Sequence, residues 1–284
     1  MNTHIHIGSC AWIFDDWRGT FYPADLPTNR WLSWYARAFN AVEIDSTFHS
    51  VPRASSIGHW LAEAPAHFRF TCKLPRTITH ELRLRESEGP LADFLTAMEP
   101  LQRHMGAILV QLPPSFTPES DATALREFVR ALPHGWKFAI EFRHVDWHQP
   151  RFVKLLEEHG VCWVWSDMTS VADQNQAPFG FLPETADFLY VRLMGDPRTK
   201  YNSGGKRVFV YKEPLWSRAV AIESWAVRLH MQAEHVKNIY VLCGNHYEGF
   251  APATCRQLGL RLGLDVGVPP ANHAPGGPRQ MKLL

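Results

Sequence analysis

No stretch of this sequence holds the roughly 18 consecutive apolar residues that a membrane-crossing helix needs. The first residues, MNTHIHIGS, contain no charged segment running into an apolar one. We therefore expect a protein that is neither membrane-inserted nor exported and that works in the cytoplasm. An excess of charge is missing too. The 29 Lys and Arg against 28 Asp and Glu give a formal net charge of +1 over 284 residues. That balance argues against a strongly electrostatic nucleic-acid binder while leaving room for a local basic patch. Cysteine is scarce and scattered: Cys10, Cys72, Cys162, Cys243 and Cys255 are odd in number and form no CxxC pair, so no disulfide framework is encoded. Four of them fall inside or at the end of strand-like runs, where a free thiol acts as a small buried hydrophobe. Cys10, closing the first run, is the one placed for catalysis. GxGxxG and GxxxxGK[ST] loops are absent, and with them the dinucleotide and P-loop readings.

What is present is alternation. Eight short apolar runs, 5–12, 41–48, 68–74, 107–113, 137–144, 161–167, 187–193 and 239–245, have the length of core strands. Helix-compatible stretches separate them. Thr28 is placed to cap 28–39, where Trp31, Trp34, Tyr35 and Phe39 share a face, and Ser120 to open a helix carrying Leu125, Phe128, Val129 and Leu132. Leu91, Phe94, Leu95, Met98 and Leu101 recur at helical spacing, Gly160 suits the C-terminal cap of 151–160, and an amphipathic helix is expected over roughly 214–236. The connection 168–186 reads as irregular. Alternating strands and helices imply a parallel sheet, and eight units in one chain fit a single parallel eight-stranded (β/α)8 TIM barrel over 1–265, followed by a Pro/Gly-rich tail at 266–284.

Residues two apart on a strand share a face. If Val42 and Ile44, Phe138, Ile140 and Phe142, and Phe70, Cys72 and Leu74 face the helices, then Glu43 and Asp45, Glu141 and Arg143, and Arg69 and Lys73 point inward. Gln111 and Arg192 join them by the same parity. Asp167 closes the sixth run, and Asn245, His246, Tyr247 and Glu248 follow the eighth. The C-terminal mouth of a barrel is where catalytic groups gather. An internal ion-pair network that ties strands together is the alternative. Three cations against two glutamates nevertheless suggest that Lys73, Arg143 and Arg192 grip an anion. Trp12 and Trp17 either stack on a ligand or plug the rim. Among the 15 histidines there is no HExxH, and the HxH of His4 and His6 merely opens the first run. A divalent metal held by His49, His144 or His246 with the carboxylates fits the positions without a specific motif. The GGKR stretch at 204–207 reads as a loop.

Several motifs together resemble the DUF72 family, also called YecE-like: GSCAW and DDWRGTFYP within 8–23, LSWYARAFNAVEIDSTFHSVP (32–52), HFRFTCKLPRTITH (67–80), ILVQLPPSF (108–116), IEFRHVDW (140–147), DFLYVRLMG (187–195) and YVLCGNHYEGFAPA (240–253). The resemblance implies a TIM barrel and no assigned activity. It also implies Asn where this chain has Asp45, and a shorter segment than NSGGKRVFVYKEPLW at 202–216.

We expect an enzyme of hydrolase or isomerase type acting on a small anionic sugar- or phosphate-containing substrate. Glu43, Glu141 and Asp167 are the candidate catalytic residues. Trp12, Trp17, Asp45, Lys73, Gln111, Arg143, Arg192, Asn245, His246 and Tyr247 are the candidate substrate contacts. No cofactor is required by the sequence. Two rivals stand beside this: a binding module for a nucleotide or nucleic-acid end, using Trp12, Trp17, Trp147, Arg18 and Arg143, and a metal-dependent hydrolase. The oligomeric state is left open.

Overall fold

The computed structural model describes residues 3–167, 182–195 and 210–266. The GGKR loop, most of the 168–186 connection and the tail from 267 onward lie outside the described residues.

The expected runs form strands β1 (His4–Ser9), β2 (Ala41–Ile44), β3 (Arg69–Lys73), β4 (Met105–Gln111), β5 (Phe138–Glu141), β6 (Cys162–Trp163), β7 (Trp165–Ser166), β8 (Phe188–Leu193) and β9 (Asn238–Cys243). All pair in parallel, in two sheets of order β1-β9-β8-β7 and β2-β3-β4-β5-β6. The single strand expected over 161–167 is thus two short ones in different sheets. Val164 N still donates to Ile140 O of β5, whereas Asp167 N donates to Arg192 O of β8; the chain changes neighbours midway. At the other junction, Cys10 and Glu43 form an isolated parallel bridge between the ends of β1 and β2. β1 comes so close to β2 there that a Cβ on Gly8 would lie 1.8 Å from Ala41 O, which only glycine avoids.

Strand parity holds. Val42, Ile44, Phe70, Cys72, Phe138, Ile140, Phe142, Val191 and Leu193 join the large apolar cluster under the helices. A second cluster of Ala107, Leu109, Ala139, Cys162, Phe188, Tyr190, Tyr240 and Leu242 draws on the other face of strands from both sheets. The five cysteines are free and buried.

The helices are α1 (Trp31–Tyr35), α2 (Ala54–Glu63), α3 (Glu88–Met98), α4 (Pro118–Ala131), α5 (Pro150–Glu158), α6 (Ala219–Gln232) and α7 (Ala251–Arg261). Three depart from expectation. α1 has five residues, preceded by a 3-10 turn at Thr28–Arg30 in which Thr28 makes no cap. Its aromatic-rich sequence has low helix propensity, and burial of Trp31, Tyr35 and Phe39 decides its course. α4 begins at Pro118, not at Ser120, because Asp121 accepts from Thr117 N (3.0 Å) and so closes the turn upstream. α6 starts late because Leu215 N and Arg218 N are held by Glu248 O (2.7 Å) and Oε1 (2.9 Å). Gly160 does end α5, at φ +61°. No helix among the described residues is long and apolar enough to cross a membrane.

Candidate functional site

At the C-terminal ends of the strands one guanidinium organises the charges. Arg192 of β8 is fully buried and donates from Nε (3.0 Å) and Nη2 (2.6 Å) to the two oxygens of Glu43, and from Nη1 to Glu141 Oε2 (2.6 Å) and Gln111 Oε1 (3.2 Å). Its remaining Nη2 contact is Cys10 Sγ at 3.8 Å. Tyr190 donates to Glu43 Oε2 (2.7 Å), with its oxygen 2.8 Å from Thr71 Oγ1. Apart from Cys10, which follows β1, these come from alternate positions of β2, β3, β4, β5 and β8, so strand parity puts them on one face.

Arg192 therefore does not wait for an anion, as the sequence suggested; its donors are taken. The surplus of cations disappears as well, because Asp45 meets Lys73 Nζ at 3.7 Å and three carboxylates face three cations. The guanidinium also occupies the space between Glu43 and Glu141, where a glycosidase would hold its scissile oxygen.

The two glutamates are held apart electrostatically. Burial pushes Glu43 up, helped by Asp45, and outweighs Arg192 and Lys73. For Glu141 burial also pushes up, but Arg143 and Arg192 prevail and hold it below the usual carboxylate range. Arg143 Nε lies against Glu141 Oε1, yet its N–H does not point at that oxygen; both atoms are buried without a hydrogen bond. Arg143 spends Nη2 on Gln111 Oε1 (3.0 Å). Lys73 and Arg143 are partly exposed, with side chains 12% and 13% accessible.

His80 does not stand out in the sequence. It sits in a π-helical turn, Thr77–Glu81, just after β3. Its ring packs edge-on against Phe48 (5.0 Å), whose face Lys73 Nζ covers at 4.3 Å. Burial, then Lys73, Arg76 and Arg143, press its pKa down to about 4. Its place at the end of the TITH motif, seven residues after the inward Lys73, is the signal that points to it. Tyr190 is legible by the same parity that finds Arg192.

Other expected residues serve the scaffold. Both oxygens of Asp167 accept from backbone: Oδ1 from Met194 N, Oδ2 from Gly195 N (3.0 Å). Gly195 has φ +71°, and a Cβ there would lie 2.3 Å from His246 O. Burial pushes Asp167 up to about 6, against those backbone donors. Asn245 Oδ1 accepts from Ala251 N (2.9 Å) at the start of α7. His246 lies 3.0 Å from the Tyr211 hydroxyl. Tyr247 is buried under the Arg218 guanidinium (4.8 Å).

The aromatic residues expected to be ligand platforms are core instead. Trp17 and Trp147 are fully buried, and Trp12 nearly so. Trp17 packs among Phe14, Phe21, Tyr22 and Phe250, Trp12 on Trp60, and Trp147 between Phe116 and Phe142. They plug the rim. Arg18, grouped with them, donates to Ala24 O and Leu26 O beside Trp31. Among the described residues no three His, Cys, Asp or Glu side chains group as metal ligands, so His49, His144 and His246 do not converge with the carboxylates.

The chain has relatives of matching architecture. It is 36% identical to the UPF0759 protein YecE of Escherichia coli over 127 residues, 45% of this chain and 44% of YecE, so that match spans less than half of the relative. To the UPF0759 protein YunF of Bacillus subtilis it is 24% identical over 293 residues, 99% of this chain and 100% of YunF. A DUF72 family protein from Thermotoga maritima, of known crystal structure, has a TM-score of 0.75 at 25% identity, over 92% of this chain and 99% of that one. The family described as "Protein of unknown function DUF72" matches residues 6–279, taking in every strand that contributes to the Glu43–Arg192–Glu141 network. This chain belongs to the DUF72 family.

Proposed function

We propose that the protein is an enzyme of isomerase or hydrolase type that moves a proton on a small anionic, sugar- or phosphate-containing substrate at the C-terminal ends of its strands. We also propose that the two sheets close as one (β/α)8 barrel. Closure is supported by the Cys10–Glu43 bridge and by the passage of the chain from β6 to β7. In such a barrel catalytic groups collect at this end.

Lys73 and Arg143 hold the anion, being the cations of the network that reach solvent. Glu141, kept ionised by its arginines, accepts the proton. His80, neutral above about pH 4, takes a proton from a substrate hydroxyl and returns it to the substrate at the end of the step. Glu43 stands behind Arg192 and acts through it, as a positioning residue. Asp45 keeps Lys73 in place.

The Glu141–Arg143 pair carries this reading: a buried carboxylate held below the usual carboxylate range lies against a guanidinium that reaches solvent, so an anion gripped by Arg143 is brought beside an ionised proton acceptor. Turnover in a screen of phosphorylated and carboxylated sugars should fall by about 10²–10⁴-fold in Glu141→Gln, with the circular dichroism unchanged. Turnover that survives the substitution sinks the proposal. The saturation of Arg192 favours one rival, a binding module without chemistry, and that rival predicts anion binding with no turnover of any compound.

A further inference from the structure

The opposite, N-terminal ends of the strands carry a separate feature that the proposed reaction does not use. A groove of about 410 Å³ opens there, lined by His4 and His6 of β1, Asn40, His67, Arg69 of β3 and Asn238 of β9, with no Asp or Glu. His6 is buried. Its ring stacks on Tyr240 (5.0 Å, 14°) and Nε2 lies 3.2 Å from Asn238 Oδ1. Its Nδ1, however, is buried without any hydrogen-bond partner. Arg69 donates Nη1 to Ala66 O and Phe68 O and makes no ion pair among the described residues. Asn40 bonds Ile5 O and Ile7 N, fixing the wall of the groove.

We infer that this groove is a binding site for a small oxyanion, a phosphate or carboxylate group held by Arg69, His4 and His67 and received by Nδ1–H of a protonated His6. A buried ring nitrogen without a partner, which becomes a donor when the ring is protonated, lies beside a guanidinium without an ion pair, and an anion would engage both.

The charges around His6 make binding proton-linked. Burial first, then Arg69 on β3, His4 on its own strand and Lys137 ahead of β5, hold it neutral down to about pH 4. Asp187, ahead of β8, is engaged by Lys137 (3.6 Å) and Lys237 (3.2 Å) and so does not compensate. Tyr240, facing it from β9, is itself kept protonated by burial. An anion in the groove reverses this field, so His6 takes up a proton as the anion enters.

Sulfate is the suitable probe because its charge is constant over the range. Calorimetry between about pH 5 and pH 7 should show one sulfate per chain that persists in Lys73→Ala, weakening by up to about tenfold per pH unit as one proton is taken up. Arg69→Gln should weaken binding by about tenfold or more. His67→Ala, at an exposed position, does so in part and guards against misfolding of the first variant. His6→Phe keeps the stack on Tyr240 and lowers by one the number of protons taken up on binding. Lys73→Ala, at the other end, leaves this binding unchanged. No binding at about 10 mM sulfate, indifference to both Arg69→Gln and His67→Ala, pH-independent binding, or loss in Lys73→Ala would each overturn the inference.

Discussion

The two ends of the parallel strands handle buried charge in opposite ways. At the C-terminal ends each carboxylate of the network lies against a cation: Glu43 and Glu141 against Arg192, Glu141 also against Arg143, and Asp45 against Lys73. At the N-terminal ends a buried imidazole and a guanidinium border a groove without any carboxylate. Satisfied charges hold strands together, and what remains unsatisfied shows where a ligand can act. At one end that is Asp45 Oδ1 and the Glu141 Oε1–Arg143 Nε contact, whose atoms make no hydrogen bond; at the other it is the whole electrostatic character of the groove.

The comparison is most severely broken by Arg192→Met. It strands two buried carboxylates at once, and loss of one partner of a buried pair costs about 3–5 kcal/mol. Urea denaturation at neutral pH should show at least that loss. The deficit should shrink on acidification, because protonating Glu43 and Glu141 removes the uncompensated charges. A loss below about 1 kcal/mol would mean that the network is not holding the strands.

Acid adds two smaller effects of opposite sign, one from His6 at the N-terminal ends and one from Asp167 at the C-terminal ends. His6 is lowered to about 4 in the folded protein, so the unfolded chain binds its proton first. Its contribution is fully present above the ordinary histidine range and is lost as pH falls from about 6.5 towards 4, by up to about 3 kcal/mol. His6→Phe should flatten that part of the stability–pH curve. Asp167, raised to about 6, works the other way: folding favours its protonated form, so its term improves as pH falls through about 6. Carboxyl NMR should find Asp167 titrating near 6, and a normal Asp midpoint would contradict its burial.

The smallest effect belongs to Lys73→Ala. Its pairing with Asp45 is long and partly exposed, and such pairs contribute about 1 kcal/mol or less. Thermal denaturation should barely move while anion affinity at the C-terminal end falls. A large stability loss would return Lys73 to the structural network and weaken the proposed site.

Much of the C-terminal site is legible in the sequence. The period of two along AVEIDSTF, KFAIEFRH and DFLYVRL sorts Glu43, Glu141 and Arg192 onto the inner face because side-chain alternation is a property of each strand alone. The same local logic finds α3 and the end of α5. It fails where tertiary bonds override propensity, as in α1 and at the start of α6, and where exposure is inferred from loop position: Trp17 and Trp147 lie in loops yet are fully buried.

The sequence by itself determined the alternating parallel architecture, the inward set of charges and membership of the family. Only the tertiary structure decided who meets whom. Arg192 is 149 residues from Glu43 and 51 from Glu141, and the Asp45–Lys73 contact depends on the pairing of β2 with β3. His4 and His6, unremarkable at the head of the first strand, gain meaning from Arg69 and Asn238 brought beside them. Alternation is written in neighbours two residues apart, whereas charge compensation is set by strand order and register, which no local pattern encodes.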